Sequence, residues 1–166
     1  MNSWLKLILV TVGGLGLLPK APGTWGSLLP LAVVLGCGHF YLDPVWTMGI
    51  LVALFVVSTI VTLTCVTWYT EYFGQQDPSH VVSDEVAGQS IALLGMAWLI
   101  PPVESPVGWI GFAVLAFVCF RVLDIWKPSL IGRSQQLHGG IGVVVDDILA
   151  GVIAGVIIFG LTLLSH

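Results

Sequence analysis

Two apolar runs, residues 45–67 and 143–164, constrain this chain more than any other feature of it. Each has about the 20 residues that an α-helix needs to cross the hydrocarbon core of a bilayer. Inside lipid the backbone must satisfy its own hydrogen bonds, and an α-helix does so within one segment. Three shorter runs, 28–42, 86–100 and 107–120, must continue into flanking polar sequence in order to cross, which draws polar groups to the membrane boundary. The run 4–18 is broken by Gly13, Gly14 and Gly16. Each glycine weakens a helix by about 1 kcal/mol relative to alanine, so this run reads as an interfacial or re-entrant segment. The fold expected is all-α, a polytopic membrane bundle of about five spanning helices plus that N-terminal segment.

Composition agrees with a membrane location, since 57% of residues are apolar and 8% charged, against about 25% charged in soluble proteins. Nine acids and five bases leave a formal net charge of -4. That excludes the basic footprint a nucleic-acid partner demands. Cys37, Cys65 and Cys119 stand singly in apolar sequence, as small buried hydrophobes do, without the spacing of a metal site or disulfide framework. The N-terminus has the single Lys6 and short apolar core of a signal peptide but no small-x-small cleavage site, so it is read as part of the mature chain. With no repeat, low-complexity tract or linker, residues 1–166 read as a single domain. Trp4, Trp46, Trp68, Tyr69 and Trp126 fall near span ends, where aromatic anchors sit. Gly151 and Gly155, with Gly88 and Ala92, predict close helix packing.

Turn chemistry then sorts the polar segments by side. The sequences around Asp43–Pro44 and at 100–106 read as tight proline turns. Five crossings joined by those turns place the longer segments 20–27, 69–84 and 121–142 on one side. Lys6, Lys20, Arg121, Lys127 and Arg133 all fall there, and the positive-inside rule makes that side cytoplasmic. Asp84, Glu85, Asp124, Asp146 and Asp147 lie within a few residues of the same helix ends and are expected to converge. A carboxylate in the bilayer centre costs about 2.5–3.5 kcal/mol on insertion scales. A cluster also repels itself, and Arg121 and Lys127 do not neutralise five acids. Hard oxygen ligands select Mg²⁺, so a divalent cation is the economical expectation.

The remaining motifs have ordinary explanations beside functional ones. Arg121 and Asp124 share a helix face that Pro128 should end, and a plain i,i+3 ion pair with a snorkelling Lys127 would account for them. His138, Gly139 and Gly140 precede a helix, where glycine lets backbone N–H groups approach a phosphate; the ordinary alternative is a surface turn. That alternative leaves Asp146 and Asp147, one turn into a spanning helix, unexplained. Thr24 and Ser27 offer hydroxyl donors in a Gly/Pro-rich segment, or simply cap a helix. His80 and Glu71 are read as solvated loop residues, with His80 kept in view because it lies near the acidic pair.

The segments PGTWGSL, VSDEVAGQSIAL, FRVLDIWKP and HGGIGVVVDDILAG resemble, in order and spacing, the motif blocks of the phosphatidylglycerophosphatase A family. The resemblance runs from about Gly13 to Gly155. It implies a helical fold around a central helix and a bacterial inner-membrane, Mg²⁺-dependent phosphatase that converts phosphatidylglycerophosphate to phosphatidylglycerol and inorganic phosphate. On this reading Asp84, Glu85, Asp146 and Asp147 are the metal ligands, and Thr24, Arg121, Lys127, His138, Gly139 and Gly140 bind the phosphate. Asp84, Glu85, Arg121, Asp124 and Asp147 carry the catalysis, from the cytoplasmic face, by attack of water. The signatures of aspartyl-phosphate, histidine-based and alcohol-phosphotransfer lipid enzymes are absent. The alternative class is a transporter or cation pathway, which would distribute its acids through the membrane depth and carry an inverted repeat.

Overall fold

The computed structural model describes residues 2–99, 106–128 and 140–164, all helix and connection with no strand among them. The described helices are α1 (Ser3–Val10), α2 (Pro22–His39), α3 (Pro44–Phe73), α4 (Ser83–Leu94), α5 (Pro106–Trp126) and α6 (Gly140–Leu164). The limits of α3 follow from its ends. Asp43 Oδ1 accepts a 2.8 Å hydrogen bond from the Val45 N–H, Pro44 occupies the first turn, and Gly74 takes the left-handed stop at φ 69°.

Three described helices, α3, α5 and α6, are long and apolar enough to cross a membrane. With 30 residues α3 rises about 45 Å, well beyond a hydrocarbon core of about 30 Å, so it carries on through Phe73 into sequence expected to be loop. The other expected crossings are shorter. Helix α2 has 18 residues, whereas α4 has 12 and rises only about 18 Å. Beyond α4 the chain turns at Gly95 and adds a single 3₁₀ turn, Ala97–Leu99. The 8-residue α1 is too short to cross, and the chain leaves it through positive φ at Val12, Gly13 and Gly14. The proline turn expected at 100–106 lies, except for Pro106, outside the described residues.

Helix α4 is the centre of the bundle, buried along most of its length and packed on α2, α3, α5 and α6. Small residues allow this. A Cβ at Gly151 would overlap the Gly88 carbonyl oxygen, and one at Gly95 would overlap that of Gly155, so α4 and α6 touch backbone to backbone. Leu31, Val34, Leu51, Leu93, Met96 and Ile158 fill the interior beneath. The outer surfaces are apolar and open: Val57 and Ile60 on α3, Val156 and Phe159 on α6. In water such a surface would drive association; in a bilayer it is the lipid face. Trp4, Trp46 and Trp126 are exposed, as expected of anchors, but Tyr69 is fully buried against Val10 and Val81. Its place on the inward stripe of α3 overrides its nearness to the helix end.

Candidate active site

The first turn of α4 carries Asp84 and Glu85, where the positive end of the helix favours anions. That turn is fixed from two sides. Ser83 and Thr62 of α3 share a buried 2.6 Å hydroxyl hydrogen bond, and the Val82 N–H donates to the Val10 carbonyl at 2.9 Å. The glycine contact between α4 and α6 then brings Asp147 alongside. Carboxylate oxygens of Asp84, Glu85 and Asp147 all lie within 4.8 Å of one another. Asp84 and Asp147 are buried and Glu85 half-buried. On the α2 side the approach is equally tight, since a Cβ at Gly23 would overlap Glu85 Oε1 and stand 3.3 Å from Arg121 Nη1.

The two cations are placed at the edge of this trio, each already engaged. Arg121 Nη1 donates to Asp124 Oδ2 at 2.6 Å and more weakly to Ser27 Oγ at 3.4 Å. Lys127 Nζ donates to Asp146 Oδ2 at 2.6 Å. Helix α5 ends at Trp126, and Lys127 takes φ 42°, which turns its side chain off the helix toward α6. Burial works against the Lys127 ammonium, but the hydrogen bond and charge of Asp146 outweigh it and hold its pKa above the ordinary lysine value.

Six carboxylates, the trio with Asp77, Asp124 and Asp146, line a cavity of about 60 Å³ together with Lys127 and Val143. One water needs about 10–15 Å³ measured this way, so a cation with a few waters has room. The donor set fits a hard divalent ion: all oxygen, three carboxylates mutually close, and both neighbouring cations committed to other acids.

The structure thus brings together Asp84, Glu85 and Asp147, and sets Arg121, Asp124, Lys127 and Asp146 around them. Asp146 lines the cavity yet bonds Lys127, outside the close trio, because it points about 100° away from Asp147 around α6. Thr24 is half-buried in the first turn of α2, and it is its neighbour Gly23 that meets Glu85. Neither Thr24 nor Ser27 caps α2, whose N-cap residue is Ala21. Gly140 opens α6, while His138 and Gly139 lie outside the described residues. His80 is exposed and stacks on Phe73.

Ser27 reads from the sequence as a hydroxyl donor or a helix cap, whereas Asp77 does not read as a site residue at all. Ser27, one turn inside α2, donates to the Gly23 carbonyl at 2.9 Å and accepts from Arg121. Its spacing of four from Gly23 was the available signal. Asp77 reaches the cavity from a loop, where no periodicity could have flagged it.

Comparison with known proteins converges on one group. Residues 8–162 match the family model described as Phosphatidylglycerophosphatase A. The chain is 35% identical over 160 residues to a Bacteroides thetaiotaomicron protein named "Putative phosphatidylinositol-3-phosphatase", covering 94% of this chain and 92% of that one. It is 33% identical over 167 residues to the Phosphatidylglycerophosphatase A of Escherichia coli, covering 95% and 83% of the two chains. The Haemophilus influenzae protein of the same name is 33% identical over 157 residues, covering 92% and 86%. No solved structure matches the chain.

Proposed function

The chain belongs to the phosphatidylglycerophosphatase A family, and from that membership we propose that it hydrolyses the terminal phosphomonoester of phosphatidylglycerophosphate, releasing phosphatidylglycerol and inorganic phosphate. The observation that carries the reading is the close trio of Asp84, Glu85 and Asp147 with Arg121 and Lys127 at its edge. Phosphate monoesters hydrolyse very slowly unaided, so catalysis consists of positioning and charge stabilisation. These residues are the chemistry for both.

Asp84, Glu85 and Asp147 would hold Mg²⁺, with Asp146 on the same cavity wall. The ion, when bound, supplies charge neutralisation at the phosphate oxygens and a more acidic water. Arg121 and Lys127 grip the phosphate, Arg121 in the forked geometry that suits it. Asp124 and Asp146 hold those cations in place until the phosphate competes for them. One carboxylate of the cavity takes the proton of the attacking water. Cys37 and Cys65 are buried in apolar helices, as small hydrophobes are.

We read α2 as a crossing, and α4 together with its continuation through the 3₁₀ turn to Leu99 as another, giving about five, with α1 at the interface and the site facing the cytoplasm of a bacterial inner membrane. A phospholipid then reaches the acids laterally, its head at the helix ends and its chains on the apolar flanks. No relative supports the ion-pathway alternative.

The test is phosphate release by the purified protein from phosphatidylglycerophosphate with Mg²⁺, with phosphatidylinositol 3-phosphate as the rival substrate that one relative's name suggests. Asp84→Asn and Asp147→Asn should each lower the rate by about 100-fold or more, the scale of losing one charge-stabilising group. No release by the wild type, or full release by both variants, sinks the assignment. Faster release from the inositol lipid moves the substrate but keeps the chemistry.

A further inference from the structure

Seven buried side-chain polar atoms among the described residues have no hydrogen-bond partner, and four of them belong to three residues of one neighbourhood: Glu85 Oε2, Gln89 Oε1, Gln89 Nε2 and Arg121 Nε. Gln89 is entirely buried. A buried amide with neither half paired is costly, and native interiors rarely carry one without a use for it.

The three residues are brought together by helix register. Glu85 and Arg121 both flank Gly23 at the start of α2. Val82 faces α2, since a Cβ at Gly26 would stand 2.8 Å from the Val82 Cβ. Gln89 lies seven residues after Val82 and four after Glu85, so it continues the same stripe one turn deeper. On α2 the matching step inward from Gly23 is Ser27, and Arg121 reaches that level too, by its bond to Ser27 Oγ. The unpaired atoms match in kind: one acceptor on Glu85, one donor on Arg121, and an amide that has both.

We propose that Gln89 is a positioning residue of this site, donating from Nε2 to Glu85 Oε2 and accepting at Oε1 from the Arg121 Nε–H when the carboxylate trio holds a divalent cation. The amide ties the cation-holding carboxylate to the phosphate-gripping guanidinium, so that neither turns without the other. Glu85 is left with Oε1 toward Gly23 and the trio, and Arg121 with its Nη groups for the phosphate. The inference rests on the reading of the trio as a divalent-cation site. Groups that hydrogen-bond metal ligands from outside orient them, and their loss typically weakens metal affinity 10- to 100-fold.

The experiment follows the thermal unfolding midpoint of the full chain in detergent while Mg²⁺ is titrated, for the wild type, Gln89→Met and Gln89→Asn. Methionine keeps the volume and removes both polar atoms; asparagine keeps the amide but shortens its reach. The wild-type midpoint should rise with Mg²⁺, as it does for any ligand that binds only the folded state. Gln89→Met should keep the metal-free midpoint and need about 10- to 100-fold more Mg²⁺ for the same rise. Inorganic phosphate should also inhibit it less strongly. Gln89→Asn is expected to behave in the same direction, and it carries the test if the methionine variant does not fold. A variant that titrates like the wild type overturns the proposal, as does a lowered metal-free midpoint with unchanged Mg²⁺ dependence, the mark of a merely structural glutamine. A wild type that does not respond to Mg²⁺ overturns the cation reading itself, and this inference with it.

Discussion

Asp146 and Asp147 are adjacent in the chain and about 100° apart around α6, and that rotation gives them different work. Asp147 joins Asp84 and Glu85, while Asp146 accepts from Lys127. The charge on Lys127 depends on that partner. Its raised pKa keeps the ammonium to higher pH than an ordinary lysine; the associated stability is complete below the unfolded value and is lost as pH rises through the folded one. In Asp146→Asn the supporting charge goes and the opposing burial stays. The alkaline limb of the kcat/KM profile should therefore move to lower pH, and a limb that stays put would remove Lys127 from the phosphate grip. The five acids near the helix ends were legible from their cost in a membrane. Their division into a close trio and two ion-paired members was not, because spacing names the helix and not the direction of each oxygen.

At the scale of elements, the contact between α4 and α6 decides whether the trio exists. Both helices present glycine where they touch, and a Cβ at Gly151 has backbone in its way, which cannot step aside as a side chain can. Gly151→Val should cost upward of about 1–3 kcal/mol, the range for overpacking, and abolish phosphate release by separating Asp147 from Asp84. Gly160, on the same helix with nothing within 4 Å of the Cβ position, predicts the opposite sign. Gly160→Ala should add about 1 kcal/mol through helix propensity and leave activity unchanged. Thermal unfolding of both variants in one detergent checks the pair. The packing of Gly151 and Gly155 against Gly88 and Ala92 was readable as a small-residue pattern. The shortness of α4 was not: the apolar run 86–100 has no break as strong as a proline, and the helix nevertheless stops at Leu94, ahead of the turn at Gly95.

For the molecule as a whole, the placement of charge predicts an orientation. Lys6, Lys20, Arg121, Lys127 and Arg133 predict a cytoplasmic site end. Gln75 is exposed in the connection between α3 and α4, at the site end, and Phe40 is exposed at the opposite end of α2. With Cys119 changed to serine, Cys37 and Cys65 remain buried and give a quiet background. A membrane-impermeant maleimide added to intact cells of permeable outer membrane should label Phe40→Cys at once and Gln75→Cys only after the inner membrane is opened. The reverse order would turn the site outward and remove it from a lipid whose phosphate faces the cytosol.

By itself the sequence determined the class of solvent and the helical backbone. Runs of about 20 apolar residues have no other way to satisfy their hydrogen bonds in lipid, and nine acids in so apolar a chain had to be placed at its boundaries. Tertiary structure alone decided which carboxylates meet, which cations they hold, and that Gln89 lies unpaired beneath Glu85. Those outcomes depend on how helices rotate and how closely they approach. Both are set by contacts between residues far apart in the chain, such as Gly88 with Gly151 and Gly23 with Glu85, which no local spacing encodes.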